Sequence, residues 1–225
     1  MSETLLRRTS VEQSGLDQRV LVLPLGSFEQ HGAHLPLATD AIIAAALCND
    51  VAARRTVDVA PVLNYGASGE HAGFAGLLSL GTDATAHAIT ELIRSARDTW
   101  RGVVLICAHG GNAEAVARVL DLARAEGDQV VAWFARDPTG DAHAGLTETS
   151  VVLSIDPTLV RLDALASGPT PPDWVALARA GGVRAVSESG VLGDPHGATA
   201  ERGWELRERW CAEVVEMIDE MRAQW

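Results

Sequence analysis

The sequence predicts an α/β fold, a three-layer α/β/α sandwich around a mostly parallel central sheet. Three observations predict it. Short apolar runs recur at 19–25, 57–63, 102–107 and 129–134, each the length of a buried strand. Helix-patterned, alanine-rich stretches of about a dozen residues or more separate them, long enough for crossover connections. A polar loop, usually with glycine, follows each run. Right-handed crossovers then place helices on both faces of the sheet. We see no internal repeat, low-complexity tract or linker in the 225 residues, so residues 1–225 read as a single domain.

The elements follow in order. Residues 1–18 are polar and read as an edge, an arm or a short helix. RVLVLPL at 19–25 is the first strand, and 26–39 its glycine-bearing loop. Residues 40–54 are helical in pattern. VDVAPVL at 57–63 reads as a second strand, with a glycine-rich loop at 64–81. Thr82 or Asp83 is placed to N-cap a helix running to about residue 100. GVVLIC at 102–107 is the third strand, 109–112 a tight glycine turn, and 112–126 a helix ended by Gly127. QVVAWF at 129–134 is the fourth strand. Residues 147–155 look helical and stop before Pro157. Six of the nine prolines fall from Pro138 to Pro195, so 157–197 reads as irregular, and a final helix runs over 198–222.

Composition removes several classes of function. All 18 basic residues are arginine. Schiff-base and pyridoxal-phosphate enzymes need a lysine amine, and Walker-type loops and protein kinases need a lysine on the phosphates. A net charge of −12 argues against binding a nucleic acid backbone. Cys48, Cys107 and Cys211 form no Cys-x-x-Cys pair, which disfavours a zinc ribbon or disulfide framework and points to reduced thiols in the cytoplasm. The N-terminus lacks the apolar core of a signal peptide, and no apolar run reaches membrane-spanning length, so no membrane partner is expected.

Ligands of open α/β sheets sit beyond the carboxyl ends of the strands. The loops there, 26–39, 64–81, 108–112 and 135–147, hold most of the seven histidines, and only His87 falls on a helix. Glu29 and His31 are two apart, so an extended backbone puts both on one face. Asp40, at a helix start, adds a third candidate ligand and is our choice to bridge two ions. Carboxylate and imidazole without cysteine suit Zn, Mn or Fe. Glycines around His109 let the backbone come close and set the imidazole. Plainer roles stand beside these. Asp40 suits an N-cap, Glu148 a first-turn carboxylate, and Glu70 and His71 the ordering of a loop. His34 suits hydrogen bonding, Cys107 core filling, and Asp137 and Asp141 turns. Trp133 and Trp174 suit packing as well as they suit substrate contact.

GSFEQHGAHLPLATD, SGEHAGFAG, AHGGN and HAGLTETS, in that order from about residue 21 to 154, resemble the creatininase family of metal-dependent amidohydrolases. The resemblance implies the three-layer fold, a homo-oligomer and two divalent metal ions, with Zn, Fe and Mn all admissible. It places Glu29, His31, Asp40 and His109 on the family's metal-ligand motif, with Asp40 as the bridge. Glu148 is our choice for the remaining carboxylate ligand. His143 matches the candidate acid/base, and Glu70, His71 and Asn112 are candidate substrate contacts.

SGVLGDPHGATAERG near the C-terminus is similar to family members that trim a small modified precursor peptide. They free a fragment derived from its C-terminal Val-Tyr. The sequence departs from the family in places. Creatinine-hydrolysing members carry a ligand carboxylate two residues after the loop-three histidine, where this chain has Gly111. Their FPGT is Phe74-Ala75-Gly76-Leu77 here, and Cys107-Ala108 replaces the usual Asn-Gly. The expected function is amide hydrolysis on a modified peptide, with a small cyclic amide or formamide as the second candidate substrate. The non-enzymatic alternative is a metal-binding oligomeric scaffold.

Overall fold

Four parallel strands stand in the order β2–β1–β3–β4 among the described residues: β1 Val20–Leu25, β2 Asp58–Val59, β3 Gly102–Cys107 and β4 Val130–Phe134. The computed structural model describes residues 5–14, 19–138, 140–171 and 173–225, and only the backbone of Trp174, Val175 and Arg179. The packing role considered for Trp174 therefore lies outside the described side chains. The helices are α1 Ser10–Gln13, α2 Thr39–Arg54, α3 Gly81–Ala96, α4 Ala113–Glu126, α5 Leu146–Ile155, α6 Trp174–Gly181, α7 Val183–Val186 and α8 Ala200–Arg222.

The twofold alternation of strand side chains sorts the core into two layers. Val20, Val22, Val104 and Ile106 face α2, α5 and α8, where they meet Leu47, Val151 and Trp210. Leu21, Leu23, Leu25, Val103, Leu105 and Cys107 face α3 and α4, where they meet Ile89, Ile93, Val116 and Val119. Both faces of β1 and β3 are buried, which is why these strands read as unbroken apolar runs. Cys107 is a core filler. Trp133 packs edge-on against Trp210 at 5.8 Å and donates to Glu213 Oε2 at 2.8 Å.

Several boundaries differ from the sequence expectation. The second strand is two residues long, because after Ala60 the next rung to β1 comes from Leu63 N, one residue out of step. The chain still runs alongside β1, with Ala60 N donating to Val22 O and Leu63 N to Pro24 O. α3 begins at Gly81, ahead of Thr82 and Asp83, because the Ser79 hydroxyl accepts from Gly81 N at 3.1 Å. It ends at Ala96, short of residue 100. Region 157–197 is not wholly irregular, since it holds α6 and α7. α4 ends as expected, with Gly127 at φ 81° taking the left-handed cap.

The N-terminal segment is tied to the sheet by one buried carboxylate. Asp58 is fully buried and accepts from Arg8, Arg19, Gln13 and Trp100, each at 2.8 Å. Burial raises its pKa, but these donors more than offset that and hold it below the ordinary aspartate value. Asp58→Ala should cost about 2–4 kcal/mol, because it strands the Trp100 indole N–H and two guanidinium groups. Urea unfolding at neutral pH measures it.

Candidate metal centre

Glycines and one asparagine bring three loops together at the carboxyl end of β1 and β3. A Cβ on Gly26 would lie 2.5 Å from the Ala41 backbone, so glycine there lets α2 approach the end of β1. That approach delivers Asp40, the second residue of α2. Asn112 donates to Gly26 O at 3.0 Å and accepts from Ala67 N at 2.8 Å. It ties the first and second loops to the start of α4, and its amide faces backbone on both ends.

The buried side chains converge. His31 Nε2 is 3.2 Å from Asp40 Oδ1 and 4.0 Å from Glu148 Oε2. His109 Nδ1 is 3.3 Å from Glu29 Oε2 and 3.4 Å from Asp40 Oδ2. His71 Nε2 is 3.0 Å from Glu29 Oε1, and His143 Nδ1 is 3.9 Å from the same oxygen. The His143 ring lies 4.4 Å from that of His31 and 4.6 Å from that of His71. Glu29, His31 and Asp40 hold ligand atoms within 4.8 Å of one another, as do His31, His143 and Glu148, and Glu29, His71 and His143.

The donor set fits a divalent cation. Both oxygens of Glu29 and Oδ2 of Asp40 are buried without a hydrogen-bond partner. Unpaired buried carboxylates are costly, and a cation resolves the cost. The outward nitrogens of the histidines are held by backbone carbonyls, which only accept. His31 Nδ1 donates to Glu29 O at 3.2 Å and His109 Nε2 to Ala67 O at 3.1 Å. Each leaves its other nitrogen aimed at the carboxylates, the orientation of a metal-ligating imidazole.

The protonation states tell the same story without a cation. Burial pushes Glu29 up to about 8. Burial works against a charged His31, but the Asp40 carboxylate outweighs it and raises the imidazole to about 9. Burial likewise opposes ionisation of Asp40, but the adjacent His31 and His109 charges hold it well below the usual range. His109 is raised by Glu29 and Asp40 against the same burial penalty. Burial, then the neighbouring His31 and His71, depress His143. Burial lowers His71 to about 4 and raises Glu148 to about 7.

The segment before α5 is built with strain. Ala144 has φ 52°, alone among the described non-glycine residues in the left-handed region. Its N–H donates to Glu148 Oε2 at 2.5 Å, which fixes the carboxylate facing His31. Asp141 is more than a turn residue. It accepts from Leu146 N and from Thr147 N, capping α5. A Cβ on Gly145 would collide with its carboxylate. Asp137 pairs with Arg202 at 3.2 Å. Leu192 brackets His143, donating to its carbonyl at 2.9 Å and accepting from its N–H at 3.2 Å. The late SGVLG segment is thus a strap over the site.

Asp40 is not an N-cap, since Ala38 precedes α2 and makes no side-chain cap. Its carboxylate faces His31 and His109 instead. His71 lies within the centre, and Glu70 stands behind His109, Oε1 to Nε2 3.4 Å. His34 is hydrogen-bonded to Thr149 Oγ1 at 3.0 Å. His196 is exposed and pairs with Asp194 at 2.8 Å, away from a ligand role. Gln30 was missed. Its Oε1 accepts from Gly32 N at 2.8 Å, and its Nε2 reaches Gly190 O at 3.1 Å and His71 Nδ1 at 3.0 Å. The signal available was a polar residue between two candidate ligands in one short motif.

Fold and centre together define an α/β/α enzyme of the metal-dependent hydrolase class. The family model described as creatininase, creatinine amidohydrolase, matches residues 5–218. The chain belongs to the creatininase family, hydrolases that act on amide bonds. It is 45% identical over 214 residues to a mycofactocin precursor peptide peptidase of Mycolicibacterium smegmatis, covering 92% of this chain and 85% of the relative. A solved structure described as creatininase Mn superposes with a TM-score of 0.83 at 26% identity, covering 98% of each chain. A creatininase variant described as Zn-Zn type gives 0.81 at 26% identity, covering 97% of this chain and 98% of that one.

The metal-free protein should lose stability as pH rises from about 6.5 to 9. Folded His31 keeps its proton up to about 9, whereas the unfolded imidazole releases it near 6.5. Folded Glu29 holds a proton up to about 8 that the unfolded chain has already released, which acts in the same direction. Below the unfolded aspartate value, stability falls again as Asp40 is forced to take a proton. Denaturant midpoints in chelator across this range check it. With divalent cation present the alkaline loss should shrink, because cations displace these protons.

Proposed function

We propose that the chain is a metal-dependent peptidase acting on a small modified precursor peptide, with two divalent cations bridged by Asp40. The observation that carries this reading is the split of the Asp40 carboxylate. Oδ1 faces His31 at 3.2 Å and Oδ2 faces His109 at 3.4 Å. Glu148 would complete the His31 side and Glu29 the His109 side. Cations held there would supply a water nucleophile at neutral pH and Lewis-acid polarisation of the scissile carbonyl.

The chain's own groups divide the remaining work. His143 Nε2 donates to Gln30 O at 2.8 Å, which leaves Nδ1 as an acceptor facing the centre. Burial and its charged neighbours keep it neutral, so Nδ1 has a free lone pair; it would take the proton released by the attacking water and pass it to the leaving nitrogen. Gln30 and the strap through Leu192 hold the ring in place. The substrate class is supported by the likeness to the M. smegmatis peptidase and by the SGVLG strap. Gly111 counts against creatinine as substrate, as it offers no carboxylate. We place the protein in the cytoplasm as a homo-oligomer. All three cysteines are free and buried, which agrees with reduced thiols. Among the described residues no helix is long and apolar enough to cross a membrane.

Asp40→Ala should lose both cations together, read by elemental analysis after desalting. A variant that keeps one would break the bridging assignment. His143→Ala should keep its metal and lower kcat by roughly 10²- to 10⁴-fold. The purified protein, incubated with modified precursor peptide, unmodified peptide and creatinine, should release a C-terminal fragment from the modified peptide alone by mass spectrometry. Creatinine turnover without peptide cleavage would overturn the substrate reading.

A further inference from the structure

We propose that Glu70 is a positioning residue for His109, and that glycine at position 111 is what gives its carboxylate room. The inference rests on His109 being a metal ligand. His109 directs Nδ1 at Glu29 and Asp40, so its alignment depends on what holds Nε2. Ala67 O lies 3.1 Å from Nε2 and fixes the tautomer. Glu70 Oε1 lies 3.4 Å from the same nitrogen. A charged acceptor strengthens the hold on the N–H and makes the opposite nitrogen a better donor to a cation.

The space for this arrangement exists only at a glycine. A Cβ on residue 111 would lie 2.2 Å from Glu70 Oε1, 2.3 Å from His109 Nε2 and 2.5 Å from Ala67 O. One methyl group would therefore enter the space of all three partners. Ala67 cannot yield easily, because its N–H is held by Asn112 Oδ1 at 2.8 Å. His109 is confined by the centre. Glu70 is the group free to move, since its side chain is 28% exposed. It borders a cavity of about 380 Å³ that Gly110, Gly111, Thr82 and Glu114 also line. A side chain at 111 would push the carboxylate out toward that cavity. Positions 70 and 111 thus form a coupled pair, a carboxylate at one requiring the absence of a side chain at the other.

The test is Zn²⁺ binding by chelator competition, with bound metal counted by elemental analysis and unfolding of the metal-free protein measured in parallel. Glu70→Gln should weaken the His109 site by about 10- to 100-fold. Zn²⁺ per chain should fall from two toward one at a chelator concentration the wild type withstands. Gly111→Ala should give at least as large a loss, because its Cβ also meets His109 Nε2 and Ala67 O, and adding Glu70→Gln to it should cost little more, because the Glu70 contact is already broken. Metal-free Glu70→Gln should still unfold in one cooperative transition, its midpoint lowered only modestly by loss of the Glu70–His109 pair. Wild-type Zn²⁺ affinity in Glu70→Gln, with His109→Ala losing one ion, would overturn the inference and leave the metal centre standing. A Zn²⁺ loss that only tracks lowered metal-free stability would also overturn it, as a structural role. A wild type that binds no Zn²⁺ would overturn the inference together with the metal reading.

Discussion

The burial of carboxylates at one point is the constraint on which the rest of the site depends. Glu29 and Asp40 are essentially inaccessible to water, and three of their four oxygens have no hydrogen-bond partner. An ionised carboxylate in such a place is tolerated only with compensating positive charge. Without a cation, the neighbouring imidazoles take that role by holding extra protons, as the raised values of His31 and His109 record. The centre is therefore a balance between protons and metal ions for the same positions. Burial and its charged neighbours keep His143 neutral.

The fold serves this point by close backbone approach rather than by long side chains. Gly26 admits α2 against the end of β1, and Asn112 binds two loops to the start of α4. On the far side, Ala144 accepts an unfavourable backbone angle worth on the order of 1–2 kcal/mol. Its neighbours hold it there. Asp141 caps α5, Glu148 takes the Ala144 N–H, and Leu192 pairs with His143 on both backbone groups. Strain sits where the site needs a carboxylate and an imidazole close together in sequence yet aimed from different directions.

Much of this was legible in the sequence, for identifiable reasons. β1 and β3 are buried on both faces, so their apolar runs are unbroken and hard to misread. Glu29, His31 and His109 lie just past strand ends, where the topology of an α/β sheet must bring them together. β2 is shorter than the apolar run at 57–63, because past Ala60 the hydrogen bonds to β1 resume only out of step, at Leu63. α6 and α7 were missed because prolines crowd the segment around them. Asn112 hydrogen-bonds backbone atoms of loops 45 and 86 residues away in the chain, and its Nδ2 lies 3.6 Å from Cys107 Sγ. No local pattern encodes such partners. Gln30 was overlooked for the same reason, since its partners Gly190 and His71 arrive from distant segments.

The Asp40 carboxylate has a consequence for the chain as a polymer. Glu29, His31 and Asp40 come from one short stretch, but His109 and Glu148 come from beyond β3 and from α5. A bridged pair of cations would close the chain from residue 29 to residue 148 into loops pinned at one vertex. Closing loops of that length removes conformational freedom from the unfolded chain, much as a cross-link does. In a protein whose three cysteines are all free, the ions would act as its staples. They would hold the halves of the sheet in register from the same vertex at which the chemistry takes place.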